Sequence, residues 1–182
     1  MKITFLLLFL LCGYFSSQGQ EAEGIKTNLD KNGTLTGESI IVFKDKSAAQ
    51  IYNSSIDWVS YTFNNTESVI QAKIENKMIR INGISKSALG PIMGFYFDLS
   101  YKIQLDIKDG KLRFIATDLK QVAQSSPFTS TSLEIIYKKG GELKSGKKYQ
   151  ETKDKIDSQL TELLSSLELA VKGQTKTNNE NW

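Results

Sequence analysis

A strict alternation of apolar and polar residues between Phe95 and Ile107 is the feature that most constrains the fold of this chain. Every odd position of the stretch is apolar, and five of the six even positions are polar. Successive side chains of an extended chain point to opposite sides, so the alternation predicts one long strand with a single buried face. A strand of this length is expected to twist and curve. Its predicted buried residues are Phe95, Phe97, Leu99, Tyr101, Ile103, Leu105 and Ile107.

Asp109-Gly110 directly follows this strand and predicts a two-residue hairpin turn. Such a turn fixes the register with a partner strand over residues 111–119. The pairing places three residues of the partner on the buried face, with Leu112 opposite Ile107, Phe114 opposite Leu105 and Ala116 opposite Ile103.

The same register makes two predictions about charged residues. On the polar face Asp106 lies opposite Arg113, which predicts a cross-strand ion pair. The alternation puts Asp118 on the buried face across from Tyr101, where a hydrogen bond to the phenol would satisfy the carboxyl group.

The remaining patterns complete a fold of the α+β class with the order β-α-β4-α. Ser47 and Gln50 have the spacing of a capping box, which predicts a helix start, and Trp58 on the apolar face of that helix is predicted to anchor it in the core. We expect a curved antiparallel sheet with the long C-terminal helix packed on its apolar face. The predicted strands are 38–43, 68–74, 77–82, 95–107 and 111–119, the helices are 47–62 and 149–172, the loop is 83–94, and a connection over 120–132 leads to a short strand or turn at 133–137.

Residues 1–19 have the three regions of a secretory signal peptide, namely Lys2, an apolar run and small residues before a predicted cut after Gly19. The apolar run is shorter than the roughly 18 residues that a transmembrane helix needs, so no transmembrane segment is predicted. Cys12 raises the alternative of a lipid anchor, which the bulky Leu11 before it disfavours. We expect an exported protein, periplasmic or extracellular, with a signal peptide at 1–19, a polar leader at 20–37, a single domain at 38–172 and a disordered tail at 173–182.

The chain has no histidine, and Cys12 is its one cysteine. Removal of residues 1–19 would leave neither residue type, which excludes a Ser-His-Asp triad, zinc ligation by His or Cys, and a disulfide. We therefore predict no catalytic residue, no metal and no cofactor. The same removal takes away Lys2 and leaves 22 basic against 20 acidic residues. This small excess favours no nucleic-acid partner, and the lysines between 138 and 155 are interpreted as a solvated surface.

Residues 28–39 come close to a calcium-binding loop, with oxygen-bearing side chains around Gly33. Asn28 stands at the first ligand position, however, and Ser39 stands where the closing Glu is required. No helical pattern flanks the segment, so calcium is not predicted there.

Several short motifs occur in an order that resembles a known family. They are Asn32-Gly33, Ser47 before Ile51-Tyr52, Asp57-Trp58-Val59, Val69-Ile70-Gln71, Gly83, and Ile107-Lys108-Asp109-Gly110-Lys111-Leu112-Arg113. Over about residues 32–121 they resemble the uncharacterised domain of unknown function, with a fold like that of the TATA-binding protein (TBP-like), of secreted Bacteroidota proteins. The resemblance implies a β-α-β4-α fold, and it implies no established activity. The segment 90–94, Gly-Pro-Ile-Met-Gly, departs from the family pattern, in which polar residues are more common.

Two functions remain open at this point. The first is a non-catalytic binding or accessory module of the cell envelope, with an apolar small molecule or an envelope protein as its partner. An apolar ligand would lie between the sheet and the C-terminal helix, although each residue that would line it is more simply a core residue. These residues are Phe95, Phe97, Leu99, Tyr101, Phe114 and Leu164.

The alternative is a hydrolase-type enzyme that uses carboxylates without His or Cys. Asp98 and Asp106 lie on one face of the same strand, but the eight residues between them span roughly 26 Å, which is too far for a joint reaction. Nucleic-acid binding rests on the analogy with TBP alone and is not predicted.

Overall fold

The computed structural model describes residues 24–92, 95–124 and 129–174. The predicted signal peptide with Cys12, and residues 175–182 of the predicted tail, lie outside these ranges. The elements are strands β1 (Asn28–Leu29) and β2 (Leu35–Val42), helices α1 (Ala48–Thr62) and α2 (Thr66–Val69), strands β3 (Ile70–Ile74), β4 (Met78–Ile92), β5 (Phe95–Lys108), β6 (Lys111–Ala123) and β7 (Ser130–Ser132), a 3-10 turn at Leu133–Ile136, and helix α3 (Lys147–Lys172).

The strands form one curved antiparallel sheet in the order β1-β2-β6-β5-β4-β3, and β7 pairs with the far end of β6. The predicted hairpin is confirmed. Gly110 has a φ of 72°, as the turn requires, and the three predicted buried pairs of β5 and β6 are present in the predicted register. The predicted α+β class is therefore correct.

Helices α1 and α3 cover one face of this sheet and enclose the hydrophobic core. The capping box of α1 is formed, because Ser47 accepts from the N–H of Gln50 and the Gln50 side chain accepts from the N–H of Ser47. Trp58 is buried, as predicted, and its indole N–H donates to Ser166 of α3 at 2.8 Å. Gly173 ends α3 with a left-handed φ of 75°.

The predicted loop at 83–94 is wrong, because β4 continues to Ile92 with an irregularity between Ser85 and Gly90. Gly83 allows a close approach inside this strand. A Cβ atom at Gly83 would lie 2.2 Å from Cε2 of Tyr101, so only glycine lets the Tyr101 ring lie across the strand. The connection predicted at 120–132 is likewise shorter, since β6 reaches Ala123 and β7 occupies Ser130–Ser132.

The segment predicted as a polar leader contributes to the fold in its described part. It contains β1 and the start of β2, which begins three residues before the predicted strand. Ile25, Thr27 and Leu35 are buried. The polar composition of the segment concealed these distant contacts, in which Ile25 and Thr27 bind α3 and the N–H of Leu35 donates to Glu134.

Candidate functional site

The second face of the sheet is not covered by any helix of the part of the chain that the structure describes. We call it the open face. It consists of the side chains that alternate with the buried ones on β2, β4, β5 and β6, among them Ile40, Val42, Arg80, Lys102, Gln104, Arg113 and Ile115. Ile40 and Val42 are each 56% exposed.

Two depressions lie on the open face. The larger, which we call the hairpin cleft, has a volume of about 930 Å³ and lies beside the β5–β6 turn. Its lining residues are Ile40, Ala48, Asn76, Lys77, Asp106, Ile107, Lys108, Asp109, Lys111 and Arg113. A second depression of about 490 Å³ lies farther along the strands and is lined by Gln71, Arg80, Asn82, Lys102, Ile103, Gln104, Ile115 and Thr117.

The ion pair predicted between Asp106 and Arg113 is wrong. The two residues do lie opposite each other, but the Arg113 guanidinium makes a double hydrogen bond to Glu38 on the neighbouring strand β2, at 2.7 Å for each bond. This contact, from Arg113, lowers the pKa of the Glu38 carboxyl. Asp106 instead accepts a hydrogen bond from Gln104 at 2.8 Å. Glu38 thus provides the planar two-pronged contact that suits a guanidinium.

The prediction for Asp118 is also wrong. Asp118 has a φ of 52° at a β-bulge, which turns its side chain out of the core and places Leu119 inside. Its carboxylate pairs with Lys120 at 2.8 Å and Lys102 at 2.9 Å, and their hydrogen bonds lower its pKa. The Tyr101 hydroxyl instead shares a hydrogen bond with Ser85 at 3.1 Å.

Asp98 is a buried carboxylate on β5 that the alternation placed on the exposed face. Its side chain is only 5% exposed, because the irregular part of β4 folds over it. It accepts hydrogen bonds from Lys86 and the N–H of Ser87, both at 2.9 Å, and from the Gln124 side chain. Burial raises the pKa of Asp98, whereas these hydrogen bonds lower it, and the net result is a pKa below the usual value.

Acid should therefore weaken the fold through Asp98. Because its pKa is lower in the folded chain than in the unfolded one, its contribution to stability is present above about pH 4 and is lost as the pH falls through the folded pKa. We expect Asp98→Asn to lower the free energy of unfolding by about 2 kcal/mol at neutral pH. The difference from the wild type should shrink in acid. Urea denaturation across the pH range measures both effects.

Glu162→Gln is the matched control for this pH experiment, since Glu162 is exposed on α3. It should change the free energy of unfolding at neutral pH by no more than about 0.5 kcal/mol. An Asp98→Asn protein with the same pH dependence as the wild type would contradict the assignment.

Five of the six predicted ligand-lining residues lie in or against the core on the covered side of the sheet. Leu99, Phe114 and Leu164 have no exposed surface, and Tyr101 is 2% exposed. Phe97 is half-buried against the same core, and the side chain of Phe95 lies outside the described part of the chain. The two depressions of the open face are lined by other residues. The binding of an apolar ligand between the sheet and α3 stays a prediction.

Sequence reasoning missed a polar anchor between the N-terminal segment and α3. The buried Asp157 carboxylate accepts hydrogen bonds from the N–H and the hydroxyl of Thr27, at 2.9 and 2.6 Å, and pairs with Lys153 at 2.6 Å. Farther along, Thr161 accepts from the N–H of Ile25 at 2.9 Å. Lys153 and Asp157 have the i, i+4 spacing of a helical ion pair, and this spacing is the one feature of the sequence that indicates the anchor.

The described residues were also compared with the requirements of a metal site and of a membrane-spanning helix. They contain no group of three or more acidic or Cys side chains placed to hold a metal ion. None of their helices is long and apolar enough to cross a membrane. In the segment that resembles a calcium loop, the Asp30 carboxylate accepts from the N–H groups of Asn32 and Thr34 and so organises the turn between β1 and β2.

A curved antiparallel sheet with helices on one face and an open second face defines the class of protein, an α+β domain of TBP-like architecture. Residues 38–121 match the family described as a domain of unknown function (DUF4468) with a TBP-like fold. The predicted resemblance is therefore confirmed.

Two solved structures are similar in fold. One is a TBP-like protein from Parabacteroides distasonis, with a TM-score of 0.63, 16% identity and coverage of 79% of this chain and 96% of that one. The other is a DUF4468 family protein from Bacteroides ovatus, with a TM-score of 0.64, 15% identity and coverage of 79% and 90%. No curated protein matches the chain. At these identities the likeness establishes the fold alone.

Proposed function

We propose that this chain is an exported, non-catalytic binding module of the cell envelope, and that a protein partner docks on the open face. The observation that carries the proposal is the contrast between the two faces of one sheet. One face is sealed by α1 and α3, whereas the other presents two depressions and exposed Ile40, Val42 and Ile84. Exposed apolar groups beside a concave surface are typical of interaction sites.

Charge distribution favours a protein partner over a nucleic acid. Three basic residues of the open face are neutralised within the fold, Arg113 by Glu38 and both Lys102 and Lys120 by Asp118. A nucleic acid needs free cations along the whole path of its phosphates, whereas Lys77, Lys108 and Lys111, which form no ion pair within the described residues, lie together in the hairpin cleft. For the hydrolase alternative, Glu38, Asp98 and Asp118 are poor general acids, because hydrogen bonds to their carboxylates lower the pKa of each.

Site-specific photo-cross-linking in cells of the native host tests this function. A photoreactive amino acid at Gln104, in the middle of the open face, is expected to give a cross-linked product of defined mass. The same group at Ser158, exposed on α3, is the matched control and should give none. Equal products from both positions, or none from Gln104, would overturn the proposal.

The predicted apolar small molecule is tested separately. Organic extraction of protein purified from its native envelope, followed by mass spectrometry, would reveal such a ligand. A bound apolar molecule would favour the space between sheet and helix as the functional site instead of the open face.

A further inference from the structure

The backbone of β2 presents unpaired hydrogen-bonding groups along the edge of the sheet. In the β2–β6 pair Val42 lies opposite Lys111, so the same register places Phe43 opposite Gly110. The N–H of Phe43 donates to the carbonyl of Gly110 at 2.7 Å, which makes these two residues a hydrogen-bonded pair. Hydrogen-bonded pairs recur at every second residue of an antiparallel ladder. The odd-numbered residues of β2 therefore bond to β6, and the N–H and C=O groups of Glu38, Ile40 and Val42 point away from the sheet.

Strand β1 occupies only the first part of this edge. It pairs with Thr36 and Leu35 through Asn28 and Leu29, in a register that would continue toward Glu38 and Ile40. Instead, the chain leaves the edge at Thr27, whose backbone and hydroxyl bind Asp157 of α3. Within the described residues no strand pairs with the outward backbone groups of Glu38, Ile40 and Val42.

The edge at Glu38, Ile40 and Val42 lacks the devices that normally prevent strand addition. Such edges usually carry proline, lysine or a bulge. Residues 38–42 read Glu-Ser-Ile-Ile-Val, and their pairing with β6 runs without a register shift. Their side chains on the open face include Ile40 and Val42, both more than half exposed. The edge is thus flat, apolar and open to another extended chain.

The hairpin cleft adjoins this edge at Ile40, and its charged residues indicate which side chains of an added strand it would bind. Ile40 forms part of its wall, and its lining includes Lys77, Lys108 and Lys111, for which the described residues supply no ion pair. Its two acidic groups, Asp106 and Asp109, already accept hydrogen bonds, from the Gln104 side chain at 2.8 Å and from the N–H of Ala48 at 2.7 Å. An occupant that brings a carboxylate into the cleft would therefore meet free ammonium groups.

We propose that an extended segment of a partner protein adds to β2 as a further strand, with apolar residues beside Ile40 and Val42 and an acidic residue directed into the hairpin cleft. Main-chain hydrogen bonds to an exposed edge would supply affinity, and the cleft would supply specificity. The inference rests on the proposed function and narrows its site and partner. A second copy of the chain fits less well, because residues 38–42 offer only Glu38 as an acid, and Arg113 already binds it.

Selection from a random library of 12-residue displayed peptides tests this inference. The enriched peptides are expected to alternate apolar residues and to carry Asp or Glu. The edge variant is Ile40→Pro, which removes an outward N–H and leaves the bonds to β6 intact, and its matched control is Ile40→Val. A synthetic peptide of the enriched consensus should bind Ile40→Pro about tenfold more weakly or worse, and Ile40→Val within about threefold.

Two further measurements make the test independent of how well Ile40→Pro folds. Lys108→Glu with Lys111→Glu should weaken binding of the acidic peptide and should not weaken binding of a version with Asn and Gln in place of Asp and Glu. In wild-type protein, hydrogen exchange should slow at Ile40 and Val42 when the peptide binds. The N–H of Ile41, which already bonds to β6, should change little.

Three outcomes of these binding measurements would overturn the inference, and a fourth comes from the cross-linking experiment. The first is an absence of enriched peptides, and the second is peptide binding that none of these variants changes. The third is a wild-type dimer in sedimentation that Ile40→Pro abolishes, because the occupant of the edge would then be a second copy of the chain. Cross-linking from Gln104 that persists in Ile40→Pro would leave the proposed function standing and reject the edge as its site.

Discussion

Replacing Phe114 with alanine is expected to lower the free energy of unfolding by about 3–5 kcal/mol. Phe114 has no exposed surface and lies in β6 opposite Leu105, in the centre of the sheet beneath the helices. Truncation removes the buried ring and leaves a cavity that the surrounding strands cannot close, because both neighbours of β6 hold it in register. The effect is large only if Phe114 is packed on all sides by protein.

Urea denaturation of the two proteins measures this difference. Val42→Ala is the control, since Val42 lies on the exposed face of the adjacent strand β2 and its truncation should cost no more than about 0.5 kcal/mol. A loss of less than about 1 kcal/mol for Phe114→Ala would contradict a packed core. Such a result would revive the prediction that Phe114 lines a cavity for an apolar ligand.

The central hairpin could be predicted from the sequence because two local signals agree there. The alternation of β5 determines which side chains are buried, and Asp109-Gly110 independently determines how β6 pairs with it. The capping box of α1, the burial of Trp58 and the end of α3 at Gly173 are local in the same sense. Each depends on residues within a few positions of one another, and each is present in the structure.

The errors occur where a distant contact or a bulge overrides the local pattern. The bulge at Asp118 shifts the alternation by one residue, so the carboxylate leaves the core and Leu119 enters it. Arg113 binds Glu38, a residue 75 positions away, in preference to the residue opposite it on the hairpin. Neither event has a signal in the period of the hydrophobic pattern.

The candidate site was missed for a related reason. Sequence alternation identifies the two faces of a strand, but it does not reveal which face the helices will cover or where the neighbouring strand ends. The free edge of β2 exists because the N-terminal segment leaves it to bind α3, through contacts that join residues 130 positions apart. The predicted ligand site therefore falls on the apolar face, which is the face that the helices seal.

Removal of the Asp157 side chain is the second large effect that we expect. Asp157→Ala leaves the ammonium group of Lys153 and the N–H of Thr27 buried without their acceptor. The Lys153 side chain is only 15% exposed. Breaking a buried ion pair by removing one partner costs about 3–5 kcal/mol, and we expect a loss in free energy of unfolding within this range. Urea denaturation measures it, and a loss below about 1 kcal/mol would show that the anchor contributes little.

The control is Glu151→Ala, which removes an exposed pair with Lys147 on the same helix and should change the free energy of unfolding by no more than about 0.5 kcal/mol.

Asp157→Ala should also affect peptide binding at the edge of β2. Without the anchor, residues 24–27 are free to continue the β1–β2 register along Glu38 and Ile40, and they would then compete with an added strand. Peptide binding at the edge should weaken in Asp157→Ala and remain unchanged in Glu151→Ala. Unchanged binding in both would mean that Asp157 stabilises the fold without keeping the edge of β2 open.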